Sequence, residues 1–272
     1  MAEDQQVLRM VWEARVPICF SLSPREISTM HQPDPYYLML PRISYLPLVI
    51  DKVIKHFSNF VTEYKKQGTD LWIDFEGKPL KWHYPIGVLW DLFTNETTIP
   101  WNLTLHFENF PEDELIRFNN RALIESMFMS TIKEADALKH RSQVINAMLE
   151  RDHNQLWMGL QNDKFDQFWS VNRKLMEHTN DELFRHIPFR VYEQNKSFIQ
   201  RLIKPVLESG ELATVKDLMN LIYPYSQDDT QSVTFVIHGI KLPLDAPLQW
   251  LSENMSYPDN FLHICAFAKS NS

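Results

Sequence analysis

Leu71-Trp72-Ile73-Asp74-Phe75-Glu76-Gly77 is an alternating run closed by glycine. It is followed by Pro79-Leu80, by Pro85-Ile86 and by a second strand-like run, Trp101-Asn102-Leu103-Thr104-Leu105-His106-Phe107. The same order returns near the C-terminus as Thr234-Phe235-Val236-Ile237-His238-Gly239, then Pro243-Leu244, Pro247-Leu248 and Phe261-Leu262-His263-Ile264-Cys265. Gly77 to Gly239 and Pro85 to Pro247 share one offset, 162 residues. Solenoid units repeat every ~20–50 residues, so a period this long predicts two copies of one small domain with a spacer between them.

Working outward from the first copy, Val7, Leu8, Val11 and Trp12 fall at helical spacing and predict a short amphipathic helix within residues 1–14. Val16 to Leu22 alternates as a strand, and Tyr36 to Leu40 reads as a second. Leu46 to Phe57 repeats its apolar side chains every three or four residues, as one helix would. Strand 71–76, a short helix from Pro85 to Phe93 and strand 101–107 complete a unit over 15–108. Pro85 suits the helix start because it has no amide hydrogen to lose there. The second unit, 187–268, follows the same order. Phe189–Tyr192 and Phe198–Ile203 are its predicted strands, and Val215 to Tyr223 is its helix, opened by Thr214 as N-cap and stopped by Pro224. Strand 233–238, helix 247–254 and strand 260–267 then follow. This order resembles the β-grasp fold of ubiquitin, a mixed sheet wrapped around one helix. The expected fold class is therefore α+β: two ubiquitin-like domains flanking a helix-rich domain, with a short N-terminal helix.

The helix-rich part is assigned to 111–183. Glu112-Asp113-Glu114 after Pro111 suits a helix start, where the dipole favours negative charge. Trp157, Leu160, Lys164, Phe168, Asn172 and Leu175 recur as one helical stripe, widened by Phe165 and Trp169. So aromatic a stretch is core rather than linker, and it is expected to pack against both flanking units.

Composition narrows the function classes. The chain has 272 residues, 44% hydrophobic and 23% charged, with eight Trp, nine Tyr and 17 Phe, enough large apolar area for more than one core. Net charge is -8 and evenly spread, with 10 basic and 13 acidic residues in 1–110, 10 and 13 in 111–185, and 7 and 9 in 186–272. No segment has the basic excess of a nucleic-acid binder. The start, Met-Ala-Glu-Asp-Gln-Gln, is no secretory signal, and no apolar run approaches the ~18 residues of a membrane span. A soluble, cytosolic chain is expected, so the sequons at Asn95, Asn102, Asn195 and Asn254 carry no meaning.

Enzyme chemistry finds little support. There is no Gly-rich phosphate loop, no His-Glu-x-x-His pair and no Cys cluster, so neither metal nor cofactor is expected. Cys19 and Cys265 lie in strand-like runs without a basic sequence neighbour, which fits buried free thiols rather than nucleophiles. The ending, Phe267-Ala268-Lys269-Ser270-Asn271-Ser272, lacks the terminal Gly-Gly of a ubiquitin-like modifier. A chain built of ubiquitin-like units without that tail is a candidate to receive a modifier instead.

Four segments make a specific resemblance: Leu80-Lys81-Trp82-His83-Tyr84-Pro85-Ile86-Gly87, Phe128 to His140 (FMSTIKEADALKH), Gln155 to Asp163 (QLWMGLQND) and Tyr257 to His263 (YPDNFLH). Together they resemble the autophagy protein 5 family, from about Val7 to Phe267. The resemblance implies two ubiquitin-like domains around a helical one. It also implies that Lys133 is the acceptor lysine, joined by an isopeptide bond to the C-terminal glycine of the modifier autophagy protein 12. Lys133 must then be accessible and lose a proton before attacking a thioester. Glu134 and Asp136 beside it favour the charged amine, so the transferring enzyme is expected to take the proton.

A second implied partner is autophagy protein 16, whose N-terminal helix docks in a groove. Trp12 and Arg42 are the candidates for that contact, with packing of Trp12 onto its own domain as the alternative. The implied role is a non-catalytic subunit of an E3-like complex. With its conjugating enzymes it promotes lipidation of autophagy protein 8 family members, in the cytoplasm and at the phagophore membrane. A ubiquitin-like adaptor without covalent conjugation is the alternative. Lys52, Lys55, His56 and Lys65-Lys66 form only a modest basic patch for membrane contact, better explained as a solvated face.

Overall fold

The computed structural model describes residues 5–63, 70–94, 99–117, 120–176, 183–224 and 233–268. Expectations at Lys65-Lys66, Asn95 and the last four residues lie outside the described residues. The chain forms two compact units, Ala14–Glu125 and Met1–Glu13 with Ser126–Ser272.

The first unit is a five-stranded mixed sheet. Strands β1 (Arg15–Leu22), β2 (Tyr36–Pro41), β3 (Trp72–Phe75), β4 (Lys78–Pro79) and β5 (Trp101–His106) lie in the order β2-β1-β5-β3-β4. β1 runs parallel to β5 and antiparallel to β2, the ubiquitin-like arrangement. The period-two pattern turns Val16, Ile18, Phe20 and Leu22 inward with Trp101, Leu103 and Leu105, all buried. Burying an aliphatic side chain of this size contributes about 1.5–3 kcal/mol, so this shared face dominates the unit's stability.

The expected helix from Leu46 to Phe57 is two helices, α2 (Leu46–Val49) and α3 (Asp51–Ser58). Leu46, Leu48, Ile50, Val53 and Phe57 are all buried, too wide an arc for one straight helix. A break at Ile50 (φ -98°, ψ 5°) re-aims the second helix so that Val53 and Phe57 also reach the core. α4 (Ile86–Phe93) begins one residue later than expected, with Pro85 as its extended N-cap.

The second sheet contains β6 (Phe189–Tyr192), β7 (Val233–Ile237), β8 (Ile240–Lys241) and β9 (Leu262–Ala268), in the order β6-β9-β7-β8. The repeat extends to backbone conformation. Glu76 and Gly77 (φ 51° and 78°) match His238 and Gly239 (φ 52° and 77°), a turn with two left-handed residues that suits a tight hairpin. After it, Leu80 N donates to Ile73 O and Leu242 N to Phe235 O, each at 2.9 Å. Pro247 caps α10 (Leu248–Asn254) as Pro85 caps α4.

α9 (Val215–Ile222) starts at Thr214 as expected, where the Asp217 carboxylate accepts from the Thr214 amide (2.8 Å) and hydroxyl (2.7 Å). The predicted strand Phe198–Ile203 is not one. Only Ile199 bridges Val191, and Leu202 is exposed, so no inward-facing period survives.

Along the chain, between the strands of the first sheet and those of the second, come α5 (Arg121–His140), α6 (Gln143–Ala147), α7 (Glu150–Gln161) and α8 (Phe165–Met176). Residues 112–114 form a turn, not a helix start. The aromatic stripe is likewise divided. Asp163 takes a left-handed φ of 54° and folds α8 back onto α7, so Trp157 and Phe168 belong to different helices. Asn and Asp tolerate this conformation better than most residues, which suits Asn162-Asp163 to the reversal.

At the crossing, a Cβ on Gly159 would lie 2.8 Å from the Phe168 backbone. Gly159→Ala should therefore destabilise the protein by about 1–2 kcal/mol despite alanine's better helix propensity, because overpacking outweighs it. Thermal unfolding reads this directly, and unchanged stability would show that the helices are not in contact there.

The first sheet also holds a histidine between two acids. His106 stacks on Trp72 (3.9 Å between centroids), its Nδ1 is 3.2 Å from Glu26 and its Nε2 is 2.5 Å from Asp74. Burial lowers its proton affinity, but the hydrogen bonds and charges of Glu26 and Asp74 outweigh burial and hold its pKa above the ordinary value. A raised folded-state pKa stabilises fully below the unfolded value of about 6.5 and is lost as pH rises through the folded value. The stability gap between wild type and His106→Gln should therefore be largest at about pH 5.5–6 and shrink towards pH 8.5 in chemical denaturation. A gap independent of pH would rule out the charged imidazole.

Candidate functional site

α5 carries the candidate acceptor. Its buried residues Phe128, Ile132, Ala135 and Lys139 are spaced by four, three and four, so one stripe is sealed. Lys133, one residue past Ile132, is exposed. Among the described residues it has no hydrogen-bond or ion-pair partner.

Its acidic neighbours are engaged elsewhere. Glu134 accepts from Arg190 Nη2 at 2.9 Å and from Gln200 Nε2 at 2.5 Å. Arg190, on β6, also donates through Nε to Gln200 (3.2 Å) and lies over the rings of Phe198 (4.8 Å) and Phe261 (4.2 Å). Asp136 is buried, and its Oδ2 accepts the Ile145 amide at 2.9 Å. Neither carboxylate bonds Lys133, contrary to the local electrostatics expected from residue order alone.

Lys139, six residues further along α5, is the contrasting amine. Its Nζ is 3.1 Å from Met176 Sδ and 4.6 Å from the Phe184 ring centroid. Burial depresses its pKa to about 7, against the opposing charges of Glu253, Asp136 and Asp259. A neutral amine is the better nucleophile, but this one is sealed and no protein tail can reach it. The chain beyond α5 closes this end, because Arg185 N donates to Lys139 O (3.0 Å) and His186 N to Leu138 O (3.1 Å). Those bonds satisfy carbonyls that a helix end would otherwise leave open.

A Tyr-His-Asp line in the second sheet is also sealed. Tyr192 Oη is 2.7 Å from His263 Nδ1, and His263 Nε2 is 2.8 Å from Asp259. Burial raises the Asp259 pKa, but His263, the Arg190 charge and the Phe261 amide together more than offset this and bring it below the ordinary value. All three residues are buried, so the line stabilises the domain and meets no substrate. Cys19 and Cys265 are buried free thiols. Among the described residues no group of His, Cys, Asp and Glu is placed to hold a metal, and no helix is long and apolar enough to cross a membrane.

Trp12 and Arg42 are both internal. Trp12, on α1 (Gln5–Glu13), is buried with its ring 5.0 Å from Phe168 and 5.8 Å from Phe165. It therefore packs on α8. Arg9 of the same helix reaches Asp166 at 2.5 Å. Arg42 is buried and ion-paired to Asp91 of α4, with a further bond to Gly87 O (3.3 Å). Neither offers an exposed side chain to a partner helix. Lys52 and Lys55 are exposed on α3.

Sequence reasoning missed Lys139, Arg190 and Asp259. Lys139, His263 and Asp259 all fell inside quoted motifs, but nothing local distinguishes a buried lysine from an exposed one.

Two ubiquitin-like sheets with a helical segment define a multidomain protein of ubiquitin-like units. Family models match all three parts: the UblA domain of autophagy protein ATG5 over residues 11–107, its alpha-helical bundle region over 121–178 and its UblB domain over 186–266. Autophagy protein 5 of Drosophila melanogaster is 50% identical over 267 residues, covering 97% of each chain. Autophagy-related protein 5 of Caenorhabditis elegans is 36% identical over 272 residues, covering 96% of this chain and 97% of its own. The crystal structure of Kluyveromyces marxianus Atg5 superposes with a TM-score of 0.82 at 20% identity, covering 97% of this chain and all of that one. The chain belongs to the autophagy protein 5 family, and its role lies in autophagy.

The Glu134–Arg190 contact is testable without any partner. Glu134→Ala and Arg190→Met should each destabilise, and the double variant should lose less than their sum, with a coupling of about 0.5–1.5 kcal/mol in urea unfolding. Additive losses would remove the clamp.

Proposed function

We propose that Lys133 accepts the C-terminal glycine of autophagy protein 12. In this reading the neutral Nζ attacks the thioester carbonyl held on a conjugating enzyme. The C–N bond forms, the C–S bond breaks, the thiolate leaves and a base on that enzyme takes the amine proton. The chain contributes the nucleophile and its placement, and is otherwise non-catalytic. With autophagy protein 16 bound through its N-terminal helix, the conjugate acts as an E3-like scaffold in the cytoplasm and at the phagophore membrane. There it holds an autophagy protein 8 family thioester towards the amine of phosphatidylethanolamine during autophagosome formation.

One observation carries the proposal: α5 has an exposed Lys133 without a bonding partner, while Lys139 on the same helix is sealed. Trp12 and Arg42 stay the proposed contacts for that helix, although both are buried in the chain alone.

Lys133→Arg should abolish the slow-migrating adduct, and its mass increment of one small protein, with an unchanged circular dichroism spectrum. Lys139→Met should still be conjugated if it folds. An adduct persisting in Lys133→Arg would refute the assignment, and an unmodified wild-type chain in autophagy-competent cells would favour the adaptor alternative.

A further inference from the structure

The two sheets have four outer edges, and three are blunted. β4 is two residues, Lys78-Pro79, carrying both a charge and a proline, and β8 is the two residues Ile240-Lys241. β6 is met by Ile199, with Val191 N donating to Ile199 O at 2.9 Å and Ile199 N to Val191 O at 2.8 Å. The outer edge of β2 is different: its run Tyr36-Tyr37-Leu38-Met39-Leu40 has no charged residue and no neighbour strand among the described residues.

The phase of that edge follows from one bond. Arg42 N donates to Ala14 O at 3.0 Å, and antiparallel pairs alternate between bonded and non-bonded. The bonded pairs are therefore Leu40 with Val16, Leu38 with Ile18 and Tyr36 with Phe20. Pro17, which has no amide hydrogen, falls opposite Met39 in a non-bonded pair, where none is needed. Tyr37 and Met39 consequently turn their N–H and C=O outwards. Their side chains are 65% and 61% exposed. Pro35 and Pro41 bracket the segment and confine any pairing to it.

Beside the edge stands a basic helix face. The Tyr36 ring is 5.0 Å from His56 of α3, and His56 Nε2 is 3.0 Å from Asp34 O. Lys52, one turn earlier on the face of His56, and Lys55 are both exposed, and neither is ion-paired among the described residues.

We infer that the outer edge of β2 takes an extended acidic peptide segment of a partner protein, added as a sixth strand. The segment bonds the N–H and C=O of Tyr37 and Met39. Its apolar side chains lie along the exposed Tyr37 and Met39, and its alternate, acidic side chains turn towards Lys52 and Lys55. The inference does not depend on the assignment of Lys133.

The test is fluorescence anisotropy of the full chain with a labelled peptide, Glu-Val-Asp-Val-Glu-Val. Saturable binding, weakened by salt, is expected. Met39→Pro removes an outward amide and no bond to β1, and should weaken binding about tenfold. A peptide N-methylated at alternate amides should lose binding to the wild type, which keeps the test decisive if Met39→Pro fails to fold. Lys52→Glu with Lys55→Glu should weaken binding about tenfold at low salt. No binding, or equal binding of the methylated peptide, would overturn the inference. So would dimerisation through this edge in light scattering, which would make a second copy the occupant. Binding to phosphatidylserine vesicles that depends on the lysines, without peptide binding, would make the face a membrane patch and overturn it as well.

Discussion

The burial of a single stripe on α5 is the constraint from which the site follows. A helix places a residue every 100°, so sealing Phe128, Ile132, Ala135 and Lys139 forces Lys133 towards solvent. Glu134 lies one step further round and is drawn to Arg190 and Gln200 of the second ubiquitin-like unit. The turn carrying the candidate acceptor amine is thus tied to a folded sheet, while the amine itself has no bonding partner among the described residues.

The two ubiquitin-like units share a frame and differ in what fills it. The hairpin turns and proline caps repeat at one spacing, because the left-handed turn conformation and the proline φ are set by local sterics. Their buried polar groups differ. The first sheet holds a histidine between Glu26 and Asp74, and the second runs Tyr192, His263 and Asp259 in a line. Each solution satisfies groups that burial would otherwise penalise. Among the described residues the second unit has no partner strand like β2, and the isolated Ile199 bridge takes its place.

Much of the fold was legible. Strands with clean alternation, such as Val16 to Leu22 and Phe189 to Tyr192, appear where period two placed them. The failures have a common cause in tertiary packing. Leu46 to Phe57 broke because more of its face is buried than one helix can cover. The stripe from Trp157 to Leu175 kept helical spacing across Asp163 although the chain reverses there, because both halves face one core. Phe198 to Ile203 is rich in strand-forming Phe and Ile, but Phe198 and Gln200 serve Arg190 instead of a ladder.

The order of residues alone determined the duplicated frame and the class of fold, since turns, caps and periodicity act through nearest neighbours, and only its likeness to the autophagy protein 5 family singled out Lys133. Only the tertiary structure distinguished exposed Lys133 from sealed Lys139, turned Glu134 away from its neighbour and made Trp12 and Arg42 internal. Those outcomes depend on contacts between residues tens of positions apart, and a side chain's solvation is decided by what packs over it.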